Sequence, residues 1–254
     1  MKVVRVGVTP VKGARHPALD VVELDGDGAV GDRVFCLGDP VEGRVLRTVQ
    51  HPGLPAVLAR WDGSSLEVTL PSGEQAAGAP GDAGESVTCD YWGRRVVARL
   101  QDGPHAALLS THLGLPVRLA AVPRGDVIYG GAVSVVGTAS LRELSRGLGP
   151  AARDLDPARF RATVVVDAGE TPFVEEEWIG RELVLGTARV RVAERIPRCA
   201  VIDLHPTAGG SDLPVLRTLG RLRPPGTPAA LCLGVDAVVT APGVVRVGDA
   251  VSLV

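Results

Sequence analysis

Apolar and polar positions alternate through much of this chain, the two-residue period that turns one face of a strand to a core and the other to water. Residues 3–8 alternate and are closed by Thr9-Pro10, and further runs at 21–24, 34–37, 66–70 and 95–100 predict more strands in the first hundred residues. Residues 25–31, rich in Gly and Asp, read as a turn, and 71–85, rich in Gly, Ala, Pro and Ser, as a mobile surface loop. Helical spacing shows in three short stretches. The first is 105–113, with Ala106, Ala107, Leu109 and Leu113 apolar and Gly114 as its C-cap. The second is 140–148, with Leu141, Leu144 and Leu148 on one face. The third is 214–222, with Asp212 as its expected N-cap. Strands are predicted again at 117–122, 163–167, 182–185, 188–193, 199–203 and 234–239, and 244–251 closes as strand, tight turn, strand.

Most of these connections are too short for a helical crossover, so the sheets should be largely antiparallel and curled. With 32 Gly and 20 Pro in 254 residues the chain cannot be a helical bundle. The expected fold is mostly β, of the α+β class: two β-barrel-like domains with a few short helices, residues 1–103 and 104–254. A formal charge of −2 gives no general attraction to nucleic acid or to anionic lipid. No apolar run approaches the roughly 20 residues of a membrane span, and Arg5 breaks the N-terminal alternation where a signal peptide needs an apolar stretch. A cytoplasmic protein is expected.

Cys36, Cys89, Cys199 and Cys232 are too scattered for a disulfide framework or a CxxC site, and the five histidines make no HxxxH pair, which argues against a zinc hydrolase. Gly26-Asp27-Gly28-Ala29-Val30-Gly31 has the letters of a dinucleotide loop, but a strand pattern follows where a helix is needed, so it reads as a hairpin turn. Lys12, one of only two lysines among 27 cationic residues, stands before Gly13 at the mouth of a strand. It either faces an anion together with exposed backbone N–H groups or is a solvated turn residue. Asp32-Arg33 is either a structural ion pair or an arginine fork for phosphate steered by its neighbour. Arg159-Phe160-Arg161 and the acidic run 172–180 read most simply as solvated faces. In Arg195-Ile196-Pro197-Arg198-Cys199, two arginines would favour the thiolate of Cys199 if both point toward it, whereas Cys36 and Cys232 read as core thiols.

Taken in order, Thr9-Pro10-Val11-Lys12-Gly13, Gly31-Asp32-Arg33-Val34-Phe35, Ala139-Ser140-Leu141, Arg159-Phe160-Arg161, Pro172-Phe173-Val174-Glu175-Glu176, Arg198-Cys199 and Gly243-Val244-Val245-Arg246-Val247-Gly248-Asp249 resemble the MOSC family, the molybdenum cofactor sulfurase C-terminal-like proteins, with the barrel domain that often precedes it. The resemblance implies a molybdenum cofactor, Mo-molybdopterin, with Cys199 as the thiolate ligand of the metal and cofactor contacts at Lys12, Gly13, Arg33, Ser140, Arg161 and Arg198. It implies kinship to the amidoxime-reducing components, hence reduction of small N-hydroxylated substrates with electrons from a separate ferredoxin- or flavoprotein-type partner. Two positions depart from the family pattern: Thr163 stands where an asparagine contacts the cofactor, and Asp236 where a tyrosine is usual. If Asp236 lines the pocket, its carboxylate could donate or accept a proton during N–O cleavage. Two other functions are open: a sulfur carrier or sulfurtransferase with a persulfide on Cys199, and a molybdopterin-binding protein without turnover.

Overall fold

A computed structural model describes residues 1–39, 42–152 and 154–254. Strands form nearly everywhere the alternation asks for them. The first part of the chain carries β1 (Lys2–Val6), β2 (Val21–Asp25), β3 (Gly28–Ala29), β4 (Phe35–Asp39), β5 (Arg44–Val45), β6 (Leu58–Trp61), β7 (Leu66–Thr69), β8 (Gln75–Gly78), β9 (Gly81–Tyr91) and β10 (Arg94–Asp102). Helix α1 (His105–Leu113) and β11 (Arg118–Ala121) follow, then β12 (Val133–Gly137), α2 (Thr138–Leu148), β13 (Val164–Asp167), β14 (Glu182–Leu185) and β15 (Ala188–Pro197). The chain ends with α3 (Val215–Leu222), β16 (Cys232–Ala241), β17 (Gly243–Arg246) and β18 (Val251–Leu253). No described helix is long and apolar enough to cross a membrane.

Strands β10-β11-β4-β5-β9 close a barrel, and the antiparallel meander β6-β7-β8 shares its core, with Leu66 and Val68 packed in one cluster with Phe35 and Leu37. A seven-stranded sheet runs β1-β13-β12-β16-β15-β14-β18. It is antiparallel except for β12 and β13, which are parallel and bridged by α2. Both faces of its centre are covered. Val135, Val164 and Val235 meet one core, with Val22, Leu24 and Val245 from the small sheet β17-β2-β3. Their neighbours Val136 and Val165 meet Leu144 of α2 and Leu219 of α3 on the other face. Continuous valine runs such as 164–166 therefore replace strict alternation, as buried strands require.

Chain order and spatial order cross at Gly103. Strand β1 pairs with β13 and β2 with β17, so the first residues of the chain complete the C-terminal sheets. Strand β11, beyond Gly103, closes the barrel between β10 and β4.

Several local expectations are corrected. The segment 71–85 contains β8 and the start of β9, because ladder hydrogen bonds to β7 and β10 form through the backbone whatever the side chains. Residues 199–203 do not form a strand: β15 ends at Pro197, opposite Cys232, and a 3-10 turn Ala200–Asp203 follows. Asp212 does not cap α3; it pairs with Arg159, and Asp203 instead accepts the N–H of Leu216 at 2.7 Å. The 25–31 segment is the β2–β3 hairpin, as read, and Gly114 caps α1 with φ +68°.

Candidate functional site

Where the barrel meets the seven-stranded sheet, a cleft with about 370 Å³ of empty space is lined by Arg33, Arg161, Thr163, Arg198, Asp236 and the loop 128–132. Arg33 follows the β2–β3 hairpin, and Arg161 ends the 3-10 turn Pro157–Phe160. Both hold left-handed backbone conformations, φ +48° and +52°, that non-glycine residues rarely adopt. Such strain persists where the surrounding structure imposes it, and it clusters at ligand sites. Asp32 fixes Arg33 from one side. One carboxylate oxygen accepts the N–H of Thr9 at 2.9 Å, and the other pairs with Arg33 Nη1 at 2.8 Å. Asp32-Arg33 is thus an ion pair whose arginine also lines the cleft.

Arg198 enters from the end of β15. Its Nε donates to the Leu233 carbonyl and its Nη1 to the Phe160 carbonyl, at 2.8 and 2.9 Å. Neither Arg198 Nη2 nor Arg161 Nη2 meets an acceptor among the described residues, although both atoms are buried. Lys12 lies behind them, its Nζ 4.8 Å from the centroid of Tyr91. Gly13 makes the turn that follows; at φ +88° a Cβ there would press on Leu54 and Thr48.

Crowded cations set the electrostatics. Burial, then Arg161 and Arg33, push Lys12 down to about 7. Burial, then Arg33, lowers Arg161 to about 9, and burial lowers Arg198 to about 10 against the attraction of Cys199. Burial, then Arg161, Arg5 and Arg33, hold His16 well below its ordinary value. Asp32 is the one carboxylate hydrogen-bonded to a cleft cation among the described residues. Lys12 and the three arginines outnumber the carboxylates of Asp32 and Asp236, an excess of positive charge that suits an anion.

Cys199 caps the 3-10 turn after Pro197, the one exposed thiol of the four, and it acts electrostatically on Lys12, Arg198 and Tyr91. Arg195 does not join Arg198 beside it, because its Nε is held by Glu176 at 2.7 Å. Glu176 also binds Arg223, which stacks over Phe173. Glu175 beside it is fully buried, so Glu175 and Glu176 of the acidic run face the interior, while Glu177 is exposed. Arg159 is likewise buried against Asp212. Ser140 is not brought to the cleft: its hydroxyl donates to Glu175 at 2.8 Å and accepts the Phe173 N–H at 2.7 Å. Cys36 and Cys232 are core thiols, and burial drives Cys36 up to about 12.

Thr163 and Asp236 both line the cleft with their polar groups engaged. Thr163 Oγ1 accepts the N–H of Ser134 at 3.1 Å. Asp236, buried on β16, accepts the N–H of Gly131 at 2.8 Å and that of Glu194 at 3.2 Å, and burial pushes its carboxyl upward. It is a clamp on the loop 128–132.

The sequence reading missed Tyr91 and that loop. The Gly130-Gly131 doublet was a legible turn signal; nothing in the β9 pattern marked Tyr91 as a neighbour of Lys12.

The profile of the MOSC domain matches residues 112–252. No curated protein matches the chain. Among solved structures, the YuaD protein from Bacillus subtilis aligns with a TM-score of 0.46 and 12% identity over 99% of this chain and 94% of that one. YiiM from Geobacillus stearothermophilus aligns with a TM-score of 0.33 and 17% identity over 48% of this chain and 54% of that one.

Proposed function

The chain belongs to the MOSC domain family, and from that premise we propose that it is a molybdenum cofactor-dependent oxidoreductase that reduces N-oxygenated substrates. The observation that carries this reading is the pair of buried guanidinium nitrogens, Arg161 Nη2 and Arg198 Nη2, that meet no acceptor among the described residues, with Lys12 and an exposed thiol near them. The residues present fit the group. Orphaned guanidinium N–H donors suit phosphate and pterin oxygens, and a thiolate suits a soft metal already held by dithiolene sulfurs. Lys12, Arg33, Arg161 and Arg198 would hold the anionic portion, and Cys199 the metal. Thr163, its hydroxyl already bonded to Ser134, takes the place of the family's asparagine with less capacity to reach a ligand.

When bound, the cofactor supplies the two-electron redox chemistry, and the protein supplies position and field. Cleaving an N–OH bond to N–H consumes two electrons and two protons and releases water. Lys12, titrating near neutrality, can hold or give up a proton beside the thiol, as no arginine here can. Asp236 is a weaker candidate for that task, since both its oxygens already accept backbone N–H groups. A separate ferredoxin- or flavoprotein-type reductase is the proposed electron donor, and a cytoplasmic setting is part of the same reading. A persulfide-carrying role for Cys199 is the second reading, favoured by that thiol's exposure.

Molybdenum and pterin content after expression in a cofactor-competent host decides between them. Near-stoichiometric molybdenum with reductant-dependent turnover is expected, and Cys199→Ala should lose the metal while melting at the wild-type temperature. A metal-free protein bearing a persulfide on Cys199 would establish the sulfur-carrier function, and molybdenum retained by Cys199→Ala would exclude the thiolate as ligand.

A further inference from the structure

Only two aromatic rings among the described residues are exposed, Tyr129 at 63% and Trp92 at 48%. The chain has eight aromatic residues; of the two exposed ones Trp92 is covered on one face by the Arg47 guanidinium, 4.1 Å from its centroid, and Tyr129 has no such partner among the described residues. Tyr129 lines the cleft. Trp92 tips the β9–β10 hairpin, whose Arg94 donates to the Ile128 carbonyl, one residue before Tyr129, at 2.6 Å. A large apolar ring left in water is ordinary when scattered on open surface, but one that lines a cleft on a fixed loop offers its face to a ligand.

The loop that carries Tyr129 is pinned at three points by three elements. Arg124 pairs with Asp25 of the β2–β3 hairpin at 2.5 Å. Arg94 holds the Ile128 carbonyl, and Asp236 accepts the Gly131 N–H at 2.8 Å. Gly130 and Gly131 let the backbone lie against Asp236: a Cβ on either would come within 3.1 Å of that carboxylate's atoms. The backbone is fixed and the ring is free, which is the arrangement of a preorganised contact surface.

Resting on the reading of this cleft as an N-oxygen reductase site, we infer that Tyr129 is a substrate-recognition residue whose ring forms a stacking wall for a planar, conjugated N-oxygenated substrate. The cations that would hold an anionic cofactor come from Lys12, Arg33, Arg161 and Arg198, whereas residues 128–132 carry none. Asp236 bears on this recognition indirectly: where the family has a tyrosine, this chain has a carboxylate that secures a loop bearing a different tyrosine.

The test compares two ligands of equal size, an uncharged aryl amidoxime and its cyclohexyl counterpart. Their affinities for the oxidised holoprotein are measured calorimetrically without reductant in wild type, Tyr129→Phe and Tyr129→Ala, with molybdenum content and melting temperature recorded for each. Wild type and Tyr129→Phe should prefer the aryl ligand about tenfold, and Tyr129→Ala should bind both alike, with metal content unchanged. An aryl preference surviving in Tyr129→Ala, or a wild type that binds neither ligand or both equally, overturns the assignment. Cofactor loss in Tyr129→Ala overturns it as well, by giving the ring to the cofactor. A Tyr129-dependent preference in a protein that turns over no N-oxygenated compound would refute the reductase reading alone, and turnover with Tyr129-independent affinity would refute this inference alone.

Discussion

Lys12 shows how a single side chain records what its site is for. Burial and two arginines lower it from 10.5 to about 7. A lysine depressed in the folded state contributes stability that is whole above 10.5 and is lost as pH falls toward 7, because the unfolded chain binds the proton first. The cofactor-free protein should therefore become more stable as pH rises from 7 to 10, and Lys12→Met should flatten that slope in denaturant titrations across the range. An anion in the cleft favours the charged amine, so loading should take up a proton at pH 8 to 9, visible in calorimetry as a buffer-dependent heat. Asp236 makes a second prediction at this scale. Asparagine offers one acceptor oxygen where the carboxylate offers two, so Asp236→Asn must give up the bond to Gly131 or that to Glu194. Turnover should fall with molybdenum content unchanged, and hydrogen exchange at 128–132 should quicken. Unaltered exchange together with lower turnover would return the carboxylate to the proton-transfer role.

The elements show where periodicity is sufficient and where it is not. Helix α1 matches the stretch expected from its apolar spacing, and β14 matches its run, because each is set by its own residues and a local stop. The start of α3 is different. Asp212 is a good capping residue by position, yet it faces the buried Arg159, while Asp203, nine residues earlier, reaches Leu216. A charge that must be neutralised outcompetes a neutral cap. Asp203→Ala should cost about 1 kcal/mol, as a lost cap does. Asp212→Ala should cost roughly 2–3 kcal/mol, since it strands a guanidinium that is 4% exposed, with the partial exposure of Asp212 moderating the loss. Equal destabilisation in urea melts would contradict this ranking. The site was legible to a similar depth. Residue patterns leave Lys12 and Arg33 open and put Arg161 on a solvated face; the family resemblance groups them with Arg198, and these four cations do converge. Ser140 did not, because a hydroxyl at a helix start serves a buried glutamate as readily as a ligand. The loop 128–132 could not be placed from sequence, since its position is set by Arg94, Arg124 and Asp236, none of them close to it in periodic pattern.

At the scale of the whole molecule, the barrel and the seven-stranded sheet are laced through one another, and the cleft lies on the seam. Lys12 and Arg33 come from the first 40 residues, and Arg161, Arg198 and Cys199 from the last 100. A fragment of residues 104–254 would expose the β13 edge that β1 covers and the β17 edge that β2 covers, and it would orphan β11. It should be insoluble or molten, while the full chain should melt in one transition by calorimetry; a stable, sharply melting fragment would show that the sheets fold alone. The lacing also orders events during synthesis. Strand β1 leaves the ribosome well before its partner, which begins at residue 164. At about 5–20 residues per second, this segment waits roughly 10 to 30 s for that partner, with Val3 and Val6 unburied. Lys2 and Arg5 flank those valines on the waiting segment, placing charge where an apolar strand would otherwise pair with another nascent chain.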